Sequence, residues 1–101
     1  MRLLVFFDLP TDTSEDRRNH AACRKLLIKN GFLMMQESVY CKLLMNATAE
    51  QSILQILQKK KPPKGIVQLL KITEKQFSRM EYLTGTSHSE ILDSVERMVV
   101  V

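Results

Sequence analysis

The segment from Arg2 to Asp8 limits the possible folds more than any other part of the chain. Its interior, Leu3 to Phe7, is wholly apolar rather than alternating, which is typical of a central strand covered on both sides. Leu9-Pro10 ends the strand, because proline has no amide hydrogen to donate to a neighbouring strand. A carboxylate, Asp8, therefore stands at the end of a strand that is otherwise apolar.

The next segment predicts a helix from about residue 14 to residue 29. Residues 11–14 are polar and suit a turn and a helix cap, and Glu15 and Asp16 lie in the first turn, where the helix dipole favours acids. Asn30-Gly31 ends the helix, since glycine is the usual left-handed cap residue. The apolar spacing predicts an inner face formed by Ala22, Cys23, Leu26 and Leu27.

The remaining patterns predict two strands, a second helix and a further strand, at residues 32–35, 38–45, 47–60 and 66–72. Asn46 is placed to cap the second helix, and Pro62-Pro63 stops it. Its predicted core stripe is Ile53, Leu54, Ile56 and Leu57. The order β-α-β-β-α-β predicts an α+β fold of the ferredoxin-like type.

The end of the chain does not belong to this unit. We expect a ferredoxin-like domain over residues 1–83, closing with a short helical turn, and then a loop and a C-terminal strand over 84–101, because consecutive valines favour a strand. Pairing with an edge strand of a second protomer would bury that strand, which predicts a homodimer. The expected interface residues are Met98, Val99, Val100 and Val101. The competing interpretation is a helix that buries Ile91, Leu92, Val95 and Met98.

Composition restricts the class of protein. The 101 residues suit one domain, and the net charge of +4 is compatible with an anionic partner. No apolar run reaches the roughly 7–15 residues of a signal peptide or the roughly 20 of a membrane span, so we expect a cytoplasmic protein with no membrane contact. Cys23 and Cys41 have apolar neighbours and no histidine at zinc-site spacing, which predicts buried, reduced thiols.

Five short motifs follow one another in a characteristic order: Phe7-Asp8, Arg17-Arg18, "KNGF" at 29–32, "QESVY" at 36–40 and "TEKQF" at 73–77. With the terminal "ERMVVV", they make the chain resemble the CRISPR-associated Cas2 family, in the variety that accompanies the Cas9 nuclease. The similarity runs from Leu3 to the end of the chain.

The resemblance implies a ferredoxin-like homodimer that is the small subunit of the spacer-acquisition complex. In that complex it is sandwiched between two dimers of the integrase Cas1 and holds duplex DNA. Several members of the family are also described as metal-dependent nucleases that act on single-stranded RNA or on double-stranded DNA. Their metal ligand is the aspartate at the end of the first strand, a role that carries over to Asp8. Phe7 departs from the tyrosine found in many relatives.

Asp8 has two interpretations. An aspartate at a strand end commonly accepts hydrogen bonds from turn backbone. Alternatively, it binds Mg²⁺, an ion that usually takes one or two carboxylates, several waters and phosphate oxygens. A two-fold dimer would bring two Asp8 carboxylates to one shared ion, which could activate water for catalysis. His20 and His88 are not placed to act as a general base.

The basic residues of the first helix also have two interpretations. Arg17, Arg18, Arg24, Lys25 and Lys29 could form a solvated helix face, or a track that contacts the phosphates of nucleic acid without reading sequence. The lysines at 59–61 are better explained as a solvated helix end. The two tyrosines do not make a set for stacking single-stranded bases.

Three functions compete. The first is a dimeric scaffold that holds duplex DNA for an integrase, with metal-dependent endonuclease activity in addition. The second is a stand-alone metal-dependent endoribonuclease of the toxin type, for which the sequence offers no compact acid–base site. The third is a ligand-binding regulatory domain, for which no small-molecule motif is present. The extra terminal strand and the basic residues favour the scaffold.

Overall fold

The computed structural model describes residues 1–85. Four strands and three helices follow one another in the order β-α-β-β-α-β-α. The elements are β1 Arg2–Asp8, α1 Ser14–Lys29, β2 Leu33–Gln36, β3 Val39–Leu43, α2 Ala47–Lys59, β4 Ile66–Ile72 and α3 Glu74–Ser78. The strands form one antiparallel sheet of order β2-β3-β1-β4, so the predicted ferredoxin-like α+β fold is confirmed.

The strand β1 is central, as its apolar sequence predicted. It pairs with β3 on one side, where Leu4 lies opposite Cys41, and with β4 on the other, where Asp8 lies opposite Ile66. Successive strand residues point to opposite faces of a sheet. Leu3, Val5 and Phe7 therefore lie on one face of β1, and the residues between them lie on the other.

The main core lies between the sheet and the helices α1 and α2. Alternate residues of β1 meet Cys23 and Leu27 of α1 and Ile53 of α2 in one buried cluster, in which Tyr40 and Leu44 also take part. The opposite face is called the open face here: it carries Leu4, Phe6 and Asp8 of β1 together with their partners on β3 and β4. Helices α1 and α2 thus cover one face only, not both as the apolar run of β1 predicted.

Helix termini follow the sequence signals closely. Thr13 and Asp16 form a reciprocal capping box at the start of α1, and Asn46 accepts a hydrogen bond from the amide of Ala49 at the start of α2. Gly31, just after α1, has φ +89°, the left-handed conformation that glycine tolerates.

Some details of the prediction are wrong. β2 begins at Leu33, because the Phe32 amide donates to the Leu27 carbonyl oxygen at the end of α1 rather than to a strand, and β3 ends at Leu43, two residues earlier than expected. Ala22 is exposed, since one residue along a helix turns by about 100° and the buried arc follows Cys23 and Leu27.

The open face is partly covered by α3. The Arg2 Nε atom donates to Glu74 Oε2 at 3.0 Å, and the guanidinium carbon lies 4.3 Å from the centre of the Phe77 ring. Burial raises the pKa of the Cys41 thiol on this face, although the nearby Arg2 opposes that shift. Burial also raises the pKa of Cys23, so both thiols are buried as predicted.

The expected C-terminal strand, its alternative helix and the interface residues Met98 to Val101 lie outside the described residues. Within residues 1–85, no helix is both long and apolar enough to cross a membrane.

Candidate functional site

Asp8 is the last residue of β1, and its side chain is exposed on the open face. Within residues 1–85 the carboxylate makes no side-chain hydrogen bond and no ion pair. No turn amide in this part of the chain donates to Asp8, so the structure does not support the interpretation of Asp8 as an acceptor for turn backbone. A carboxylate without a protein partner is available to a cation or to solvent.

A cavity of about 230 Å³ opens beside Asp8. Its apolar walls come from neighbouring strands of the sheet, and its polar side chains are few. The lining residues are Phe6, Phe7, Asp8, Ser38, Val39, Ile66 and Gln68. Of these, the side chains with oxygen atoms that could accept a hydrogen bond or a metal ion belong to Asp8, Ser38 and Gln68.

Gly65 allows β4 to begin directly against the end of β1. Its φ is +91°, and a Cβ built on it would lie 2.7 Å from the carbonyl oxygen of Asp8 and 2.6 Å from Leu9 Cδ2. Only a residue without a side chain fits that space in that conformation. Gly65 therefore sets how closely Ile66 and Gln68 approach Asp8.

The turn between β2 and β3 forms the other side of the cavity. Ser38 has φ +69°, which is uncommon for a residue other than glycine. In this position its carbonyl oxygen accepts a hydrogen bond from the Phe7 amide at 3.0 Å. The turn is thereby tied to β1 one residue before Asp8.

Phe7 belongs to the main core. Its ring stacks on Tyr40 with a centroid distance of 5.8 Å and meets the edge of the His20 ring at 5.4 Å. Because Phe7 and Asp8 are successive strand residues, their side chains point to opposite faces. His20 is half-buried against this ring and does not line the cavity beside Asp8.

One of the other acids near Asp8 in sequence, Asp16, has a structural role. Asp16 is buried, with 5% of its surface exposed; its Oδ2 accepts from the Thr13 amide at 3.3 Å, and its Oδ1 lies 3.6 Å from Lys64 Nζ. Residues 1–85 contain no group of three or more histidine, cysteine, aspartate or glutamate side chains that could hold a metal ion. A single protomer therefore offers Mg²⁺ one carboxylate, and the other ligands of the ion would be neutral oxygens, water or phosphate.

The basic residues of α1 divide into two groups. Arg17 is bound to its own helix start: its Nη1 donates to the carbonyl oxygens of Thr11 at 3.2 Å and Asp12 at 3.3 Å. The second group is exposed, as Arg17 is, but within residues 1–85 its side chains donate no hydrogen bond and form no ion pair; its members are Arg18, Arg24, Lys25 and Lys29.

Helical geometry separates these exposed residues further. Arg18, Lys25 and Lys29 are spaced by seven and four residues, which puts them on one outward stripe of about 16 Å. We call these three residues the basic stripe. Arg24 lies off this stripe and close enough to Tyr40 on β3 to influence it. Burial raises the pKa of Tyr40, and the positive charge of Arg24 opposes that shift.

Sequence reasoning missed Lys64, Gly65, Ser38 and Gln68. Gly65 carried a local signal, since a glycine after two prolines marks a turn. Gln68 carried none, because its position beside Asp8 depends on the register of two strands that are far apart in sequence.

The fold is a four-stranded antiparallel sheet with two helices on one face, and the other face carries a strand-end carboxylate that has no partner in residues 1–85. These features define a small ferredoxin-like protein with a candidate cation site. The chain belongs to the family described as "CRISPR associated protein Cas2", whose profile matches residues 1–80. The resemblance noted in the sequence is therefore confirmed, while the variety that accompanies Cas9 stays a prediction.

Individual relatives agree with this assignment. A protein of Treponema denticola named "CRISPR-associated endoribonuclease Cas2" is 50% identical over 101 residues, 100% of each chain. A protein of the same name from Streptococcus mutans serotype c is 46% identical over 98% of this chain and 91% of its own length. The crystal structure of Streptococcus pyogenes Cas2 at pH 6.5 matches with a TM-score of 0.57 and 23% identity, over 83% of this chain and 100% of its own, which supports the fold.

Proposed function

We propose that this protein is a CRISPR adaptation protein, a dimeric scaffold that holds duplex DNA together with the integrase Cas1 during spacer acquisition. Metal-dependent cleavage of nucleic acid at Asp8 is a second, weaker activity. One observation carries the preference for holding over cutting: α1 exposes several cations without ion pairs in residues 1–85, whereas the candidate cleavage site has a single carboxylate per protomer.

The basic stripe supports binding to a duplex. Its three cations lie on an exposed helix face that is about 16 Å long, and cations in such a row contact phosphates without reading bases. A dimer would double the stripe. Binding of this kind depends strongly on salt, because each neutralised phosphate releases counterions.

The open face supports a homodimer. Four of its large apolar side chains are about half exposed: Leu33 at 48%, Leu43 at 45%, Ile66 at 57% and Leu70 at 49%. A second copy packed on this face would remove them from water and would bring two Asp8 carboxylates towards a common axis. The expected interface residues Met98 to Val101 would add to this contact.

Mg²⁺ is the proposed cofactor, held by Asp8 of each protomer. When bound, the ion would activate a water molecule and offset the negative charge of the phosphodiester. The residues of this chain supply its carboxylate ligand, and Phe6, Val39 and Ile66 form the apolar walls of the cavity.

Single-stranded RNA is the competing substrate for cleavage, because the curated relatives carry the name endoribonuclease. A stand-alone endoribonuclease of the toxin type would need Asp8 and the metal for its main activity. It would have no need of the integrase or of the basic stripe.

The deciding experiment combines the purified protein with its genomically neighbouring integrase and a short DNA duplex. We expect one complex that contains both proteins and DNA, measured by light scattering after gel filtration. Asp8→Asn should leave this assembly intact but abolish magnesium-dependent cleavage of RNA and DNA. Rapid RNA cleavage by the protein alone, with no assembly, would instead favour the stand-alone nuclease.

A further inference from the structure

We propose that Gln68 is a second protein ligand of the divalent cation at Asp8, through its side-chain carbonyl oxygen. The inference rests on the proposed metal role of Asp8 and extends it to a residue on another strand. It gives each protomer two oxygen ligands from adjacent strands, a carboxylate on β1 and an amide on β4.

The register of the sheet puts the two residues on one face. Asp8 lies opposite Ile66 and Phe6 lies opposite Gln68, so Asp8 and Gln68 are diagonal neighbours in an antiparallel pair. Cα atoms of such neighbours are roughly 7–8 Å apart, a distance that long side chains span. Glutamine has the length to bring its amide oxygen towards an ion at the aspartate.

Both side chains line the same cavity of about 230 Å³. Neither forms a side-chain hydrogen bond or ion pair with another residue in 1–85. The strand residues around them, Phe6, Val39 and Ile66, offer no side-chain oxygen. The Gln68 amide is therefore the polar group on β4 that is available to an ion at Asp8.

The chemistry suits a weakly held hard cation. Such ions accept carboxylate oxygens and the carbonyl oxygens of asparagine and glutamine, and Mg²⁺ keeps several waters and substrate phosphates as further ligands. One carboxylate with one neutral amide leaves most of the ion's positive charge for a phosphate. Gly65 contributes by letting β4 approach the Asp8 backbone closely.

The test measures Mn²⁺ binding to the full chain by electron paramagnetic resonance or calorimetry, without substrate. Gln68→Glu adds a second carboxylate beside Asp8 and should tighten Mn²⁺ binding roughly tenfold, because cation affinity rises with the negative charge of the ligands. Gln55→Glu makes the same charge change on an exposed residue of α2, away from the open face, and should change affinity less than twofold. Gln68→Met, similar in size but without the amide, should weaken binding and leave the unfolding midpoint unchanged.

The outcomes separate this inference from the metal role of Asp8. If Asp8→Asn abolishes Mn²⁺ binding while both Gln68 variants match the wild type, the Gln68 inference is overturned and the Asp8 site stands. If Asp8→Asn changes nothing, the metal role and the inference fail together. If Gln68→Glu tightens binding while Gln68→Met matches the wild type, the added charge lies near the ion but the native amide is not a ligand, and the inference is overturned.

Discussion

Replacing Gly65 with alanine tests whether the start of β4 is held against the Asp8 backbone. The left-handed conformation of Gly65, φ +91°, costs an alanine about 1–2 kcal/mol. The added methyl group would also lie 2.7 Å from the Asp8 carbonyl oxygen. That atom is backbone within the β1–β4 pairing and cannot move aside alone, so we expect a further cost of about 1–3 kcal/mol from overpacking.

Gly31→Ala is the matched control. Gly31 has nearly the same conformation, φ +89°, but within residues 1–85 its added methyl group would meet only the end of the Lys42 side chain, with Nζ at 2.7 Å and Cε at 4.0 Å. A lysine side chain ends in a flexible group that can rotate away, so this variant should carry mainly the backbone cost. The difference between the two variants therefore measures the close approach at Asp8.

The measurement is urea unfolding followed by circular dichroism, at one protomer concentration because a dimer's stability depends on concentration. With a slope of about 1–2 kcal/mol per molar urea, a difference of about 1–3 kcal/mol means that the Gly65 variant should unfold about 0.5–3 M below the Gly31 variant. Equal midpoints would refute the reasoning, since β4 would then have shifted without cost. A selective loss of Mn²⁺ binding in Gly65→Ala under native conditions would connect the same contact to the candidate site.

Three further predictions concern the dimer, the basic stripe and the start of α1. Deleting residues 96–101 should weaken self-association in sedimentation at micromolar concentration, and an unchanged dimer would contradict the proposed interface. Arg18→Ala with Lys25→Ala should lower the slope of log duplex affinity against log salt by about one unit per lost phosphate contact. Arg17→Ala should leave that slope unchanged, because the Arg17 guanidinium donates to backbone carbonyl oxygens rather than to phosphate. A lower slope in this variant would instead show that Arg17 contacts phosphate. Asp16→Ala should reduce the free energy of unfolding by about 1 kcal/mol through loss of the capping box, and no change by urea titration would exclude that role.

The sequence predicted the elements that local chemistry determines. Each of these signals lies within a few residues of the structure that it determines. They are the apolar run of β1, the caps at Thr13 and Asn46 and the glycine after α1. The position of Asp8 at the end of an apolar strand was also visible without a structure, whereas its metal role came from the family resemblance and stays a prediction.

Relations between distant segments could not be predicted in the same way. The pairing of Asp8 with Ile66, which brings Gln68 to the cavity, depends on a register set by the whole sheet. Arg17 was grouped with Arg18 as a phosphate-binding residue, and its bonds to the carbonyl oxygens of Thr11 and Asp12 depend on a turn whose shape no pattern specified. A pair of adjacent arginines has the same sequence signature whether or not one of them donates to nearby backbone carbonyl oxygens.

The pairing of β1 with β4 has a consequence for the order in which the chain folds. It joins Arg2 to Ile72, whereas β2 and β3 form a local hairpin. Closing a long loop costs more entropy than closing a hairpin, so the β1–β4 pairing is expected to form late. During synthesis, Asp8 leaves the ribosome long before Gln68. The two-ligand cation site is therefore expected to form later than the β2–β3 hairpin, and a nascent chain that lacks β4 cannot bind the ion in this way.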